Sequence, residues 1–200
     1  VKALCKELEL RRVEASTPLQ TIYFGGGTPS VLTSVELQEI FSTIHKHYRI
    51  ASGAEITMEV NPDDFSTPKS ELSLELLKEL GINVVEFLPV FEWDDHTGNL
   101  NREVGLLKNV WGYNPINFFA LTKKYSSSTV INSFDEIKEF KELVSKLHEN
   151  GMEVILDVVY NHTAEGGIGG EKYNFKIMAE DVFYTKDREG NFTNYSGCGN

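Results

Sequence analysis

The chain has 200 residues, 40% of them hydrophobic and 24% charged, which is enough apolar content for one large domain or two small ones and rules out global disorder. Its net charge of −11 disfavours a phosphate-backbone partner, which would call for clustered Lys and Arg, so no nucleic-acid partner is expected. No apolar run approaches the roughly 20 residues of a membrane span, and the start, Val1 to Lys6, lacks the sustained apolar stretch of a signal peptide.

In chain order, Leu4, Cys5 and Leu8 lie at helical spacing within Val1 to Arg12. Thr21-Ile22-Tyr23-Phe24 reads as a short strand running into Gly25-Gly26-Gly27. Thr33-x-x-Glu36 is a capping box, followed by the stripe Leu37, Ile40, Phe41 and Ile44. Glu55 to Val60 reads as a strand stopped by Asn61-Pro62. Leu72 to Leu80 reads as a helix ended by Gly81, and Val84 to Leu88 as a strand stopped by Pro89. The stretch from about 91 to 132 reads as irregular. Ser133-x-x-Glu136 is a second capping box, and Ile137, Phe140, Val144 and Leu147 mark its helix up to Gly151. Val154 to Val159 is a near-continuous apolar run, the pattern of a strand buried on both faces of a parallel sheet. The remainder reads as loop.

Strands alternating with helices predict right-handed βαβ units and a parallel sheet. The fold class expected is therefore α/β, a partial (β/α) barrel or TIM-like half-barrel, with strands near 20–24, 55–60, 83–88 and 153–159 and all helices on one side. A complete barrel needs roughly 250 residues. A half-barrel leaves open edge strands, which predicts marginal stability and an opening for self-association. The two cysteines, Cys5 and Cys198, lie at opposite ends and read as free thiols of a cytoplasmic protein, Cys5 as a core residue of its helix. Without an initiator Met, the chain is expected to begin inside a longer one.

Two clusters carry chemistry. Gly25-Gly26-Gly27-Thr28-Pro29 sits at a strand end, where the missing Cβ atoms let a ligand approach backbone N–H groups. On its own it reads first as a tight βα turn. Asp157-Val158-Val159-Tyr160-Asn161-His162 closes a strand, and polar groups at such an end are where parallel-barrel sites are built. An Asp in that strand needs a partner. Glu86, Glu92, Asp94 and Asp95 read as a solvated loop face.

Residues 1 to 65 resemble the oxygen-independent coproporphyrinogen oxidase-like radical SAM proteins of the haem-chaperone branch. The resemblance rests on Ala3 to Arg11, on Leu19 to Ser30 with its Gly-Gly-Gly-Thr-Pro turn, and on Glu55 to Asp64 with its Glu59-Val60-Asn61-Pro62 end. It implies S-adenosylmethionine contacts for Gly25, Gly26, Gly27, Thr28 and Glu59. The three-cysteine loop that holds a [4Fe–4S] cluster in that family has no counterpart here, so no cofactor is expected in this chain.

Residues 70 to 200 resemble the α-amylase superfamily, in particular its isoamylase, pullulanase and glycogen-debranching subgroup. The motifs are Leu77 to Val90, Trp111 to Ala120, Phe140 to Gly151, Asp157 to His162, and the closing Asn194-Tyr195-Ser196-Gly197-Cys198-Gly199-Asn200. The resemblance implies that Tyr113 stacks on the sugar at the cleavage point and that His162 hydrogen-bonds its hydroxyls. It makes Asn161 a candidate calcium ligand and implies that Asp157 holds an Arg beside the nucleophile. That nucleophile and the acid lie on later strands of the family's barrel, so no catalytic residue is assigned. The expected partner is an α-glucan oligosaccharide, bound weakly. The two resemblances divide the chain into 1–66 and 67–200.

Overall fold

The computed structural model describes residues 1–65, 71–95, 100–101, 105–106, 108–130, 134–167 and 169–200. In chain order the elements are α1 (Lys2–Arg11), β1 (Leu19–Phe24), α2 (Ser34–His47), β2 (Ile50–Val60), α3 (Leu74–Leu80), β3 (Val84–Phe87), β4 (Phe91–Trp93), β5 (Leu100–Asn101), β6 (Gly105–Leu106), β7 (Pro115–Leu121), α4 (Asp135–Glu149), β8 (Glu153–Leu156) and α5 (Phe175–Phe183). They form two compact units, residues 1–87 with 139–156, and residues 88–138 with 157–200.

The first unit is the α/β part. Its sheet has the order β1-β2-β3-β8, and every pairing is parallel, as the alternation of strands and helices predicts. Strands and helices alternate as in part of a (β/α) barrel. Register fixes the two faces: Phe24 pairs with Met58 and Met58 with Val85, while Val60 pairs with Phe87 one layer further on. These residues point to the helical side, where Phe24 stacks on Phe41 of α2 and Phe87 meets Phe140 of α4 edge-on. Ile56, on the same face, lies 3.8 Å from where a Cβ on Gly81, the C-cap of α3, would sit. Leu37, Ile40, Phe41 and Ile44 of α2 are all buried, and its start carries the capping box between Thr33 and Glu36. The opposite face holds Tyr23, Glu55, Thr57, Glu59 and Glu86 in the alternate register.

Three expectations are corrected in this unit. The run after Glu153 is not buried on both faces: β8 is an edge strand of only four residues, and Ile155 and Leu156 are exposed. An edge strand has a neighbour on one side only, so an apolar run alone does not secure burial. Cys5 is half-exposed rather than core, because no residue of α1 is buried. Leu72 lies ahead of α3, which starts at Leu74 behind the N-cap Ser73. Both cysteines are free.

The second unit overturns the irregular reading of 91–132. β4 and β7 pair antiparallel, with register shifts on either side of Glu92, and β5 pairs with β6. Strands this short and bulged lack the sustained alternation that marks a strand in sequence. The loop expected at the end contains α5, kinked at Ala179, and a bridge between Lys186 and Phe192. Ser133 of the second capping box lies outside the described residues. Glu86, Glu92, Asp94 and Asp95 do not form a solvated loop face. Glu86 and Glu92 are on strands and Asp94 is buried, while Glu92 pairs with Lys124 at 3.3 Å and Asp95 with Lys108 at 3.5 Å. No described helix is long and apolar enough to cross a membrane.

Candidate functional site

In the first unit the glycine turn follows β1 directly. Gly26 and Gly27 adopt φ of +80° and +65°, the left-handed region that glycine enters without a Cβ penalty. Gly25 lies close under Glu59: a Cβ there would sit 2.6 Å from Glu59 Oε1, so the Glu59 and Tyr23 side chains would have to shift. The fold thus brings Gly25, Gly26 and Glu59 together, with Thr28 a few residues on. The Gly26 N–H donates to Glu59 Oε2 at 3.1 Å, and the Tyr23 hydroxyl donates to Glu59 Oε1. Burial, followed by bonding to Glu59 and Glu86, pushes the Tyr23 hydroxyl well above the usual tyrosine range. Glu59 therefore sits where a ligand carboxylate would have to accept the Gly26 N–H, and this arrangement does not fit S-adenosylmethionine. A cluster fits no better. The first unit holds a single cysteine, Cys5 on α1, whereas a cluster needs several thiolates.

The second unit gathers Tyr113, Asp157, Asn161 and His162. Tyr113 follows Gly112, whose φ is +79° and whose added Cβ would meet Pro89 Cβ at 2.8 Å. Only glycine makes that turn and lets the backbone press on the proline. The Tyr113 hydroxyl donates to Asp157 Oδ2. This supplies the partner that an Asp at this strand end needs, so the carboxylate is half-buried and bonded to a tyrosine rather than held by an Arg in this chain. His162 Nε2 lies 2.8 Å from the Tyr113 carbonyl and Nδ1 lies 3.1 Å from Asn161 Oδ1. Asn161 thus faces the imidazole rather than a gathered set of carboxylates, a poor arrangement for calcium, which takes six to eight oxygens.

Behind these residues lies a network that sequence reasoning missed. Thr163 is buried, with its hydroxyl 2.7 Å from that of Tyr184. Asn200 brackets Thr163, accepting from its N–H at 2.9 Å and donating to its hydroxyl at 3.1 Å. Ala164 N–H donates to the Pro115 carbonyl at 2.8 Å, which ties the loop to β7. Glu165 is fully buried and accepts from the N–H groups of Tyr173 and Asn174, both at 2.8 Å, from that of Lys176 at 3.1 Å, and from the Tyr184 hydroxyl. Burial works against its charge, but the donors of Asn174, Tyr184, Tyr173 and Lys176 outweigh it and hold the carboxyl below the usual range. Lys176 is buried too, with its ammonium on the carbonyls of Glu165 and Gly167, both at 2.6 Å. Glu165 stands three residues after His162 in a glycine-rich loop; a lone acid in such a loop carries no periodic signal. The start of α5, which would have explained it, was itself not legible.

Next to His162 the unit forms a half-open hollow of about 530 Å³, lined by aromatic, hydroxyl and amide side chains and by His162 itself. The arrangement offers an aromatic ring at Tyr113, a fixed imidazole and a mixed apolar and polar hollow. That is a binding surface for an uncharged ligand with hydrogen-bonding groups.

The sequence model of the family described as "Alpha amylase, catalytic domain" matches residues 72–191. The chain is similar to isoamylase 1, chloroplastic, of Oryza sativa subsp. japonica, at 43% identity over 128 residues, covering 64% of this chain and 16% of that protein. It is similar to the glycogen operon protein GlgX homolog of Haemophilus influenzae, at 36% identity over 129 residues, covering 64% of this chain and 18% of that protein. The chain thus spans less than a fifth of the length of these curated relatives. Among solved structures, a mutant pullulanase from Paenibacillus barengoltzii complexed with maltotetraose has a TM-score of 0.59 at 19% identity, covering 98% of this chain and 29% of that one. This likeness concerns the fold.

Proposed function

The chain belongs to the α-amylase family, and from that premise we propose that it is part of an α-glucan-debranching glycoside hydrolase of the isoamylase type. By itself it binds α-glucan oligosaccharides weakly and does not cleave them. The observation that carries this is the cluster of Tyr113, Asp157, Asn161 and His162 beside an uncharged cavity in the second unit. Tyr113 offers an aromatic ring against sugar C–H groups, and His162, whose two ring nitrogens lie against Asn161 Oδ1 and the Tyr113 carbonyl, reaches a sugar hydroxyl by exchanging one of those contacts. The carboxylates nearest in sequence are committed: Asp157 to the Tyr113 hydroxyl and Glu165 to the N–H groups ahead of α5. Retaining cleavage needs a nucleophile and an acid about 5 Å apart across the bond, which these two do not provide.

The similarity to an isoamylase and to a glycogen operon protein supports the debranching subgroup. The family match begins at residue 72, which supports reading residues 67–200 as the N-terminal part of an α-amylase-type barrel and residues 1–66 as a segment of separate origin. One stacked ring and a few hydrogen bonds in an open site give millimolar affinity or weaker. The test is titration of the chain with maltotetraose, followed by protein-observed NMR. Shifts at Tyr113 and His162, weakened by Tyr113→Ala, are the expected result. No shift at saturating sugar would sink the reading.

A further inference from the structure

We propose that segment 163–176 of the second unit is folded around a binding site for a primary ammonium, and that the side chain of Lys176 is the tethered ligand that fills it. Lys176 is only 5% exposed, and its Nζ donates to the carbonyls of Glu165 and Gly167, both at 2.6 Å. A lysine near a surface ordinarily buries its stem and keeps its charge in water. Lys186 comes closer to that habit, reaching the carboxylates of Glu180 at 2.5 Å and Asp181 at 2.7 Å from a partly exposed position. Lys176 instead turns its charge inward onto neutral backbone. The ring of Phe192, itself buried, has its centroid 5.3 Å from Nζ, within reach of a cation–π contact. Two carbonyls and one ring face thus answer the three donors of an ammonium.

Burying a charge is costly unless opposite dipoles replace its water, and this segment supplies dipoles of both signs. The Glu165 carboxylate collects the N–H groups of Tyr173, Asn174 and Lys176, while the carbonyls of Glu165 and Gly167 collect the ammonium. Gly170 shows how closely those carbonyls are gathered. A Cβ there would stand 2.0 Å from the Glu165 carbonyl oxygen and 3.1 Å from that of Gly167, and the Gly170 N–H donates to the Gly167 carbonyl at 2.9 Å. The atoms it would meet are backbone, which cannot swing aside as a side chain does. The donor set also selects the ligand. Magnesium wants near-ideal octahedral oxygens at about 2.0–2.1 Å, and calcium about six to eight oxygens. Two neutral carbonyls and a ring suit neither ion, but they suit a singly charged group that brings its own N–H donors.

The experiment is amide hydrogen exchange, read by NMR at Gly170, Tyr173 and Asn174, for the 200-residue chain and for Lys176→Ala and Lys176→Met. Each is measured in n-propylammonium chloride and in tetramethylammonium chloride at equal ionic strength. Propylammonium is the piece of lysine that Lys176→Ala removes, whereas tetramethylammonium carries the charge without an N–H. In tetramethylammonium, both variants should exchange at least about tenfold faster than the wild type at these amides. Propylammonium should recover most of that loss in Lys176→Ala. It should leave the wild type unchanged, and also Lys176→Met, whose neutral side chain fills the path of the stem. If Lys176→Ala does not fold in tetramethylammonium, refolding from urea in the two salts makes the same comparison by circular dichroism, and native signal in propylammonium alone supports the site. Variants that exchange like the wild type would overturn it, because the ammonium would then hold nothing. A loss that the two salts recover equally, or that neither recovers, would overturn it as well and leave Lys176 as packing.

Discussion

Glu165 shows how a single loop residue can govern the order around a site. Its carboxylate collects the N–H groups of Tyr173, Asn174 and Lys176 and the Tyr184 hydroxyl, and Tyr184 in turn reaches Thr163, next to His162. Glu165→Gln turns an NH₂ toward backbone N–H groups, which can only donate, and should cost about 2 kcal/mol in urea unfolding. The pH dependence has a definite sign. The folded-state pKa of Glu165 lies below its ordinary value of 4.5, so its contribution is complete above that value and is lost as pH falls through the folded pKa. Stability of the wild type should therefore drop more steeply below pH 4.5 than that of Glu165→Gln, and an identical acid slope would refute the role given to it. Glycines separate two further costs. Gly53 and Gly112 share a φ of +79°, but a Cβ on Gly53 meets open space while one on Gly112 meets the ring of Pro89 at 2.8 Å. Gly53→Ala should cost about 1 kcal/mol from the backbone alone. Gly112→Ala should cost roughly 2–3 kcal/mol, because a proline ring cannot swing aside.

At the level of elements, helix starts and buried stripes carry the clearest signals. Thr33 accepts from the Glu36 N–H and Glu36 accepts from the Thr33 N–H, so Thr33→Ala should lower unfolding free energy by about 1 kcal/mol, read as a shift of the urea midpoint at unchanged slope. β1, β2, α2, α3, β3 and α4 were legible because each combines one period with one stop signal: Asn61-Pro62 after β2, Gly81 after α3, Gly151 after α4. β4 and β7 were not, because their pairing shifts register at Glu92 and breaks the alternation a strand would show. α5 was hidden for a related reason. Its kink at Ala179 interrupts the helical period, and Glu165, which collects the N–H groups at its start, lies about ten residues upstream. Of the site, the strand-end positions Asp157, Asn161 and His162 were legible because a barrel builds its chemistry there. The partner of Asp157 was not, since Tyr113 lies 44 residues away in the chain. The aromatic lining of the hollow beside His162 was not legible either: Phe118 comes from β7, Tyr160 from beyond β8, and Phe175 and Phe183 from α5, and no local pattern joins them.

For the whole molecule, open sheet edges and net charge pull in opposite directions. β1 and β8 flank the four-stranded sheet, and unpaired edges favour pairing with a second copy. Glu55, Glu59 and Glu86 crowd one face of that sheet, and the chain carries −11 overall, so two copies repel. Sedimentation should find a monomer at low ionic strength and growing self-association as salt shortens the Debye length to about 8 Å near 0.15 M; association that weakens with salt would show that charge, not edge pairing, drives it. Catalysis is a separate matter, decided by which carboxylates are free to act. The deprotonated nucleophile of a retaining glycosidase must face the sugar, and its partner acid must keep a proton for the leaving oxygen. Asp157 faces a hydroxyl donor, and Glu165 is buried against a helix start with its pKa lowered, which is the wrong direction for an acid. Prolonged incubation of the chain with pullulan and glycogen should then release no reducing ends above a heat-treated control. Release that disappears in Asp157→Asn would mean that Asp157 gives up its bond to Tyr113 when sugar binds and takes the part of nucleophile. Release that survives Asp157→Asn but disappears in Glu86→Gln would place the chemistry on the sheet of the first unit instead.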